Sequence, residues 1–155
     1  MGDKLKKRIK QGADFASPAE EAMLNLVVAA DYVRTIIDRL CAEFGITHGQ
    51  YNVLRILRGT YPEGHARGEI AARMLERAPD VTRLVDRLKA QGFVERDRSE
   101  EDRRRSLARI TAAGLRLLDE MEPRVTEVQR HFAERVSRRD CRELTRICEG
   151  LYDED

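Results

Sequence analysis

Residues 81–96 read VTRLVDRLKAQGFVER, and this stretch joins a short amphipathic helix to a strand. Its large aliphatic residues recur at intervals of three and four, which places them on one side of a helix: Val81, Leu84, Val85 and Leu88. Gly92 ends that helix, and residues 93–96 then alternate in polarity as a half-buried strand does. Residues 107–110, LARI, alternate again beyond an almost entirely charged segment. The pattern predicts a helix followed by a β-hairpin.

Three short helices are predicted before the hairpin. Residues 47–57 begin with a capping box, in which Thr47 and Gln50 satisfy each other's backbone N–H groups. Residues 67–75 and 79–91 supply the other two helices. Three short helices followed by a charged hairpin are the pattern of a winged helix-turn-helix, in which one helix enters the major groove of DNA.

Long amphipathic helices flank this unit. The first covers residues 17–44, and its apolar stripe has no neighbouring domain in the sequence to cover it, so a helical partner is expected. The second follows Thr111, which can cap it, and covers residues 112–135, in which Pro123 is expected to produce a bend or an interruption. A last helix begins at Ser137. The predicted fold is mainly α-helical with a small β-hairpin wing.

The composition is that of a single folded domain with nearly equal numbers of basic and acidic residues. The 155 residues suffice for a single compact domain, and a hydrophobic content of 41% excludes a disordered chain. Lys plus Arg, 29 residues, nearly cancels Asp plus Glu, 28 residues, so a nucleic-acid surface must come from local segregation of charge.

The basic N-terminal segment allows two interpretations. Residues 1–16 are interpreted as a flexible basic tail, and the alternative is an arm that contacts DNA or a partner subunit. A signal peptide would have an apolar region after its basic residues, and this segment has none. The chain also lacks the roughly 20 apolar residues of a membrane span. We therefore expect a cytoplasmic protein with no membrane partner.

One side of the third short helix carries candidate DNA contacts. They lie opposite its aliphatic residues: Thr82, Arg83 and Asp86, with Pro79 and Arg87 at the margins. Near the start of the helix, Arg83 is expected to meet either a guanine edge or a phosphate. The alternatives are that both arginines are solvated, or that Arg87 pairs with Asp86 or with another helix.

The loop of the predicted hairpin separates its charges along the chain. Acidic residues cluster up to Asp102, and three arginines follow it. An arginine tip suits a narrow minor groove, where negative potential is focused, and Asp102 is placed to hold a neighbouring arginine. A solvated charged loop is the alternative. The candidate contacts here are Arg98, Asp102, Arg103, Arg104 and Arg105.

Several segments, in order and spacing, resemble the MarR family of transcription regulators. They are VTRLVDRL at 81–88, GFVER at 92–96, DRR at 102–104 and ITAAG at 110–114. The segment THGQYNVLRIL at 47–57 is similar to the second helix of that family. The resemblance covers about residues 20–150.

The resemblance implies a homodimer that binds double-stranded DNA. In the family, the first and last helices of two subunits interdigitate. This implies a helical dimerisation region formed by residues 17–44 and 124–155, and a winged helix-turn-helix domain at residues 45–123. It also implies that Arg104 enters the minor groove and that Asp102 holds the arginine side chain in position.

The start of the third short helix departs from the family pattern. Many members have Ser or Thr there, whereas this chain reads Arg77-Ala78-Pro79-Asp80. The carboxylate of Asp80 suits the positive end of the helix dipole but repels a phosphate. Arg77 is therefore a further candidate DNA contact, because its charge offsets that of Asp80.

The resemblance further implies a small aromatic or lipophilic effector bound between the dimer helices and the winged domain. The residues placed there by element are Tyr32, Ile36, His48 and Tyr51. Core packing is the alternative for the apolar ones.

The remaining reactive residue types suggest neither metal nor catalysis. The cysteines, Cys41, Cys141 and Cys148, form no CxxC pair and are expected to be buried thiols, since reactivity needs exposure. The three histidines lack zinc-ligand spacing, and no catalytic motif is present, so neither an enzyme nor a cofactor is expected.

The predicted function is that of a homodimeric transcriptional repressor. It would occupy a pseudo-palindromic operator and leave it when a small molecule binds. Two alternatives remain: a winged-helix module that binds protein, and a cysteine-based redox-responsive regulator that uses Cys41.

Overall fold

A small three-stranded sheet lies among seven helices in the part of the chain that the computed structural model describes, namely residues 3–77, 80–97 and 106–153. The elements, in chain order, are α1 (Asp3–Ile9), α2 (Pro18–Glu43), α3 (His48–Arg58), β1 (His65–Ala66), α4 (Arg67–Arg73), α5 (Val81–Ala90), β2 (Val94–Arg96), β3 (Leu107–Ile110), α6 (Ala112–Arg135) and α7 (Arg138–Tyr152). The predicted fold class, mainly α-helical with a small wing, is confirmed.

Side-chain caps determine where the helices begin. Ser17, Thr47, Thr111 and Ser137 each accept a hydrogen bond from the backbone N–H three residues on, which satisfies a donor that the helix itself leaves free. At α3 the capping box is complete, because the Gln50 side chain accepts in return from the Thr47 N–H at 2.8 Å. The helix starts predicted at these four residues are confirmed.

The third helix of the winged unit, α5, begins later than predicted. Its first residue is Val81, and Asp80 is the N-cap, with a carboxylate that accepts from the Arg83 N–H at 2.9 Å. The prediction that the helix starts at Pro79 was wrong, because the Asp80 cap fixes its beginning. Pro79 itself lies outside the described residues.

The sheet contains one strand that the sequence pattern did not predict. Strand order is β1-β3-β2, all antiparallel, with Val94 paired to Ile110 across the predicted hairpin and His65 paired to Ala108 on the other side. Gly64 precedes β1 at a φ of +87°, and a Cβ there would lie 2.2 Å from the carbonyl oxygen of Ala108. Only glycine fits this approach without displacing the strand.

One hydrophobic core joins the winged unit to the ends of the two long helices. It draws on α2 only at its C-terminal end and on α6 only in its first half; its fully buried larger members are Cys41, Val53, Leu54, Leu57, Ile70, Leu88, Val94, Leu118 and Met121. In α5, Val81, Val85 and Leu88 are buried as predicted. The orientation of α5 is therefore fixed by its aliphatic side.

The rest of α2, the end of α6 and all of α7 carry apolar side chains on the surface. Every residue of α7 is exposed or half-buried. The exposed large apolar residues of these three helices are Met23, Leu26, Val27, Tyr32, Val33, Phe132, Leu144, Ile147, Leu151 and Tyr152. We call this set the apolar helix face. It exceeds the scattered single residues of an ordinary monomer surface.

Helix α6 runs through Pro123 without interruption. The helix is continuous from Ala112 to Arg135, so the expected interruption was wrong, while the alternative, a bend at Pro123, stays a prediction. Residues on both sides of Pro123 are held in place by contacts with the rest of the protein. Met121 is fully buried, and the Arg124 guanidinium donates to both carboxylate oxygens of Glu43 in α2, at 2.7 and 3.0 Å. The same hydrogen bonds hold the pKa of the Glu43 carboxyl below its usual range.

The basic N-terminal segment contains a short helix where a tail was predicted. Within α1, Leu5 is buried, and Lys6 pairs with Asp14 beyond the helix. The Lys6 ammonium also lies 5.6 Å from the centre of the Phe15 ring. The segment therefore folds back on itself through the two contacts of Lys6.

Candidate nucleic-acid interface

Helix α5 presents arginines on the side away from the core. Arg83, Asp86 and Arg87 are exposed and Thr82 is half-buried, while the opposite side of the helix is held in the core. These four residues were predicted to face outward, and the structure places them on this surface. Arg83 stands in the first turn, where a helix laid in a major groove reaches base edges.

The carboxylate of Asp80 is already engaged at this end of α5. It accepts the Arg83 N–H at 2.9 Å, so the donor that would otherwise be free at the helix start is satisfied within the chain. A phosphate approaching this end would meet a carboxylate rather than a free N–H group. Favourable charge must therefore come from side chains, among which Arg77 is exposed nearby in sequence.

Asp86 is tied to the wing. The Arg96 guanidinium, at the end of β2, lies 2.9 Å from a carboxylate oxygen of Asp86. The alternative that Arg87 pairs with Asp86 is replaced by this pair, which joins the recognition surface of α5 to the sheet. A second ion pair, between Arg109 and Asp97 at 2.7 Å, lies at the base of the same hairpin.

Arg67 is a cation of this surface that the sequence pattern did not indicate. It begins α4, and its guanidinium donates to the Thr82 hydroxyl of α5 at 2.9 Å. The two residues are 15 positions apart and belong to different helices. Nothing in the local pattern predicts their contact, which arises only when α4 packs against α5.

A cavity of about 370 Å³ is lined by α3, α5 and the segment that follows α4. Its walls include Met74, Glu76 and three candidate DNA contacts; the polar and charged residues that matter here are His48, Glu76, Arg77, Arg83 and Arg87. We call it the α3–α5 cavity. Arg83 and Arg87, which face outward from α5, therefore line this cavity and are also exposed at the surface.

Of the four residues predicted for an effector pocket, His48 alone lines the α3–α5 cavity. The hydroxyl of Tyr32 accepts from Arg135 at 3.1 Å, and that of Tyr51 accepts from Arg55 at 3.0 Å, so both are engaged elsewhere. Ile36 is half-buried on α2. The structure therefore does not bring these three residues to the cavity wall.

One ion pair connects the long helix α2 with the wall of the α3–α5 cavity. The Arg34 guanidinium donates to Glu76 at 3.1 Å. The adjacent Leu75 is 80% exposed, because the helix predicted over residues 67–75 ends at Arg73. The Leu75 N–H donates to the Asn52 side chain at 2.9 Å.

Five candidate contacts in the wing loop lie outside the described residues. They are Arg98, Asp102, Arg103, Arg104 and Arg105. Their strands are described on either side, with Arg96 ending β2 and Leu107 beginning β3.

The fully buried Cys41 is poorly suited to redox chemistry. Its side chain has no exposure, and burial, with a smaller contribution from the charge of Asp38, raises its pKa to about 11. Almost none of it is thiolate at neutral pH, and the thiolate is the reactive form. This counts against a redox switch at Cys41.

The described segments contain neither a metal-binding cluster nor a membrane-spanning helix. Among residues 3–77, 80–97 and 106–153, no group of three His, Cys, Asp or Glu side chains could hold a metal ion. In the same segments, no helix is long and apolar enough to span a membrane.

Comparison with known proteins matches this chain to transcription regulators. The model of the MarR family matches residues 44–105. The HTH-type transcriptional regulator PrsX of Escherichia coli is 30% identical over 117 residues, or 73% of this chain and 70% of PrsX. The chain aligns with 66% of the length of another curated relative, a putative transcriptional regulatory protein for the hcr operon of Thauera aromatica.

Solved structures share both the fold and, in one case, substantial sequence. A MarR transcription factor from Planctomyces limnophilus is 38% identical, with a TM-score of 0.69 over 88% of this chain and 98% of that one. Bordetella bronchiseptica BpsR, whose DNA binding is regulated by 6-hydroxynicotinic acid, has a TM-score of 0.77 at 19% identity. That match covers 92% of this chain and 100% of BpsR.

Proposed function

The chain belongs to the MarR family of transcription regulators, and we propose that it represses transcription by occupying a pseudo-palindromic operator as a homodimer. The observation that carries this proposal is the outer side of α5. There Arg83 and Arg87 are exposed on a helix whose opposite side is buried, beside a wing tied to it by the Asp86–Arg96 pair. A rigid helix with outward arginines is what major-groove reading requires.

The wing is proposed to reach the neighbouring minor groove. The basis is the Asp-Arg-Arg segment at 102–104, with Arg104 entering the groove and Asp102 holding it in place. The Asp86–Arg96 ion pair supports this role because it fixes the wing relative to α5, and the Asp97–Arg109 pair joins the two sides of the hairpin. Arg98, Arg103 and Arg105 complete the proposed contacts.

The apolar helix face is proposed as the dimer interface. Its residues lie within 17–44 and 124–155, the proposed dimerisation region, while the buried core lies in the winged unit at 45–123 and in the C-terminal end of α2, at Leu40 and Cys41. A two-fold dimer covers the same face on both subunits and leaves two copies of α5 to read two half-sites.

A small-molecule effector is proposed to occupy the α3–α5 cavity. Two features support this. The volume of about 370 Å³ is within the range of ligand pockets, and the walls combine Met74 with the charged or polar His48, Arg77 and Arg83. BpsR responds to 6-hydroxynicotinic acid, an aromatic acid. The Arg34–Glu76 pair offers a route from this cavity to the dimer helix α2.

Arg83→Ala is expected to weaken operator binding about 30-fold or more. A bidentate arginine–base contact contributes about 1–3 kcal/mol, and a dimer makes this contact once in each half-site. Fluorescence anisotropy with a duplex selected from random DNA measures the change in affinity. Arg116→Ala, which removes an exposed arginine of α6, is the matched control and should leave affinity unchanged.

The response to base changes identifies the kind of contact. If Arg83 reads a base, the variant also tolerates substitution at one position in each half-site; if it clamps a phosphate, affinity falls equally on all duplexes. An Arg83→Ala protein that binds the selected duplex as tightly as the wild type would contradict the assignment of α5 as the reading helix.

A further inference from the structure

A second cavity lies between α4, α5 and the base of the wing. It has a volume of about 370 Å³, and it is lined by Arg67, Thr82, Arg96 and Ser106 over an apolar floor formed by Ile70 and Val85. We call it the wing cleft. It lies on the Thr82 side of α5, whereas the α3–α5 cavity lies on the side of Leu84 and Arg87.

The wing cleft is positively charged. The described residues that line it include two arginines and no carboxylate. The α3–α5 cavity, by contrast, includes Glu76 and Asp80 among its walls. In a chain with a net charge of +1, this is a local segregation of charge that favours an anion.

Both guanidinium groups of the wing cleft are held in place by bonds within the protein. Arg67 donates to the Thr82 hydroxyl at 2.9 Å, and Arg96 lies 2.9 Å from Asp86. A guanidinium has five N–H donors, so each of these contacts leaves others to bind a ligand. The Thr82 hydroxyl accepts from Arg67 and therefore keeps its own proton to donate. Ser106 adds a second hydroxyl.

We propose that the wing cleft binds a backbone phosphate of the DNA, with Arg67 and Arg96 as the principal contacts. This inference rests on the proposed function, and it adds two residues that the family resemblance did not indicate. Planar guanidinium groups and hydroxyls match phosphate oxygens. Because the cleft lies between α5 and the wing, the phosphate held there sets the position of both elements on the duplex without reading sequence.

Arg67→Ala tests this proposal through the salt dependence of binding. Anisotropy is measured at several salt concentrations with two duplexes, one selected from random DNA and one of unrelated sequence. We expect affinity to fall by a similar factor on both. The slope of log K against log salt should fall by about 0.9 for each phosphate that the variant no longer neutralises, or roughly two units for a dimer. Arg67→Lys should retain most of the slope.

Arg73→Ala is the matched control. It removes an arginine from the same short helix, α4, and the Arg73 side chain lines neither cavity. In a second experiment, the phosphates of the selected duplex are replaced one at a time by uncharged methylphosphonates. Among the positions where wild-type protein loses affinity, one in each half-site should cause no further decrease in Arg67→Ala.

The outcomes separate the cleft from the proposed function. If wild-type protein binds neither duplex, the proposed function fails and the cleft inference fails with it. If wild-type protein binds the selected duplex but Arg67→Ala keeps its affinity and salt slope, the cleft inference alone is overturned. A decrease confined to the selected duplex also overturns it, because that pattern indicates base reading rather than phosphate binding.

Discussion

Replacing Gly114 by alanine is expected to destabilise the protein, although alanine is the better helix former. Gly114 lies in the first turn of α6, and a Cβ there would be 2.5 Å from the carbonyl oxygen of Phe93 and 2.6 Å from the Cγ1 of Ile110. The Phe93 carbonyl cannot move away alone, because it accepts the Thr111 N–H at 3.0 Å. The helix start and the wing would have to separate.

The steric cost is expected to outweigh the gain in helix propensity. Overpacking costs about 1–3 kcal/mol or more, whereas alanine in place of a helical glycine gains about 1 kcal/mol. We expect a net decrease of about 2 kcal/mol in the free energy of unfolding, measured by urea denaturation. The control is Gly68→Ala in α4, where nothing lies within 4 Å of the added Cβ and a small stabilisation is expected. An unchanged or raised midpoint for Gly114→Ala would contradict this packing.

Leu144→Glu is expected to convert the proposed dimer to monomer. Leu144 is 42% exposed in the apolar helix face, with Ile147 and Leu151 on the same side of α7. Burying one leucine contributes about 1.5–3 kcal/mol, and a two-fold interface contains it twice, so the dimer dissociation constant should rise at least about a hundredfold. Analytical ultracentrifugation measures the shift, and affinity for a two-half-site operator should fall in parallel.

The matched control for this prediction is Arg142→Glu. It places the same carboxylate on α7 at an exposed position, on the side opposite Leu144. The control variant should remain dimeric. A Leu144→Glu protein that sediments as a dimer at micromolar concentration would show that another surface joins the subunits.

Local sequence patterns predicted most of the winged unit. The aliphatic spacing of residues 81–88 predicted the orientation of α5, because a helix has one period and the core accepts one side of it. Caps such as Thr47 and Thr111 predicted helix starts, because a hydroxyl three residues before a free N–H is itself the stabilising contact. These signals are contained within eight consecutive residues or fewer, so no tertiary information is needed.

Contacts between distant residues could not be predicted in this way. Arg67 meets Thr82 and Arg34 meets Glu76 only after helices pack, and charged residues carry no periodic signal that names their partner. Strand β1 has two residues, too few to show alternation. For the same reason the sequence pattern did not indicate Arg67 and Arg96 as cations of one cleft, and it did not single out the residues that line the α3–α5 cavity beyond His48 and the arginines.

Binding-site selection from random duplex DNA, with the purified protein, shows whether the protein reads a DNA sequence. We expect enrichment of a pseudo-palindrome whose half-sites lie about one helical turn apart, because two copies of α5 in a two-fold dimer face successive major grooves. Recovered DNA with no enriched sequence would contradict the proposed operator binding, and would favour a winged-helix module that binds protein.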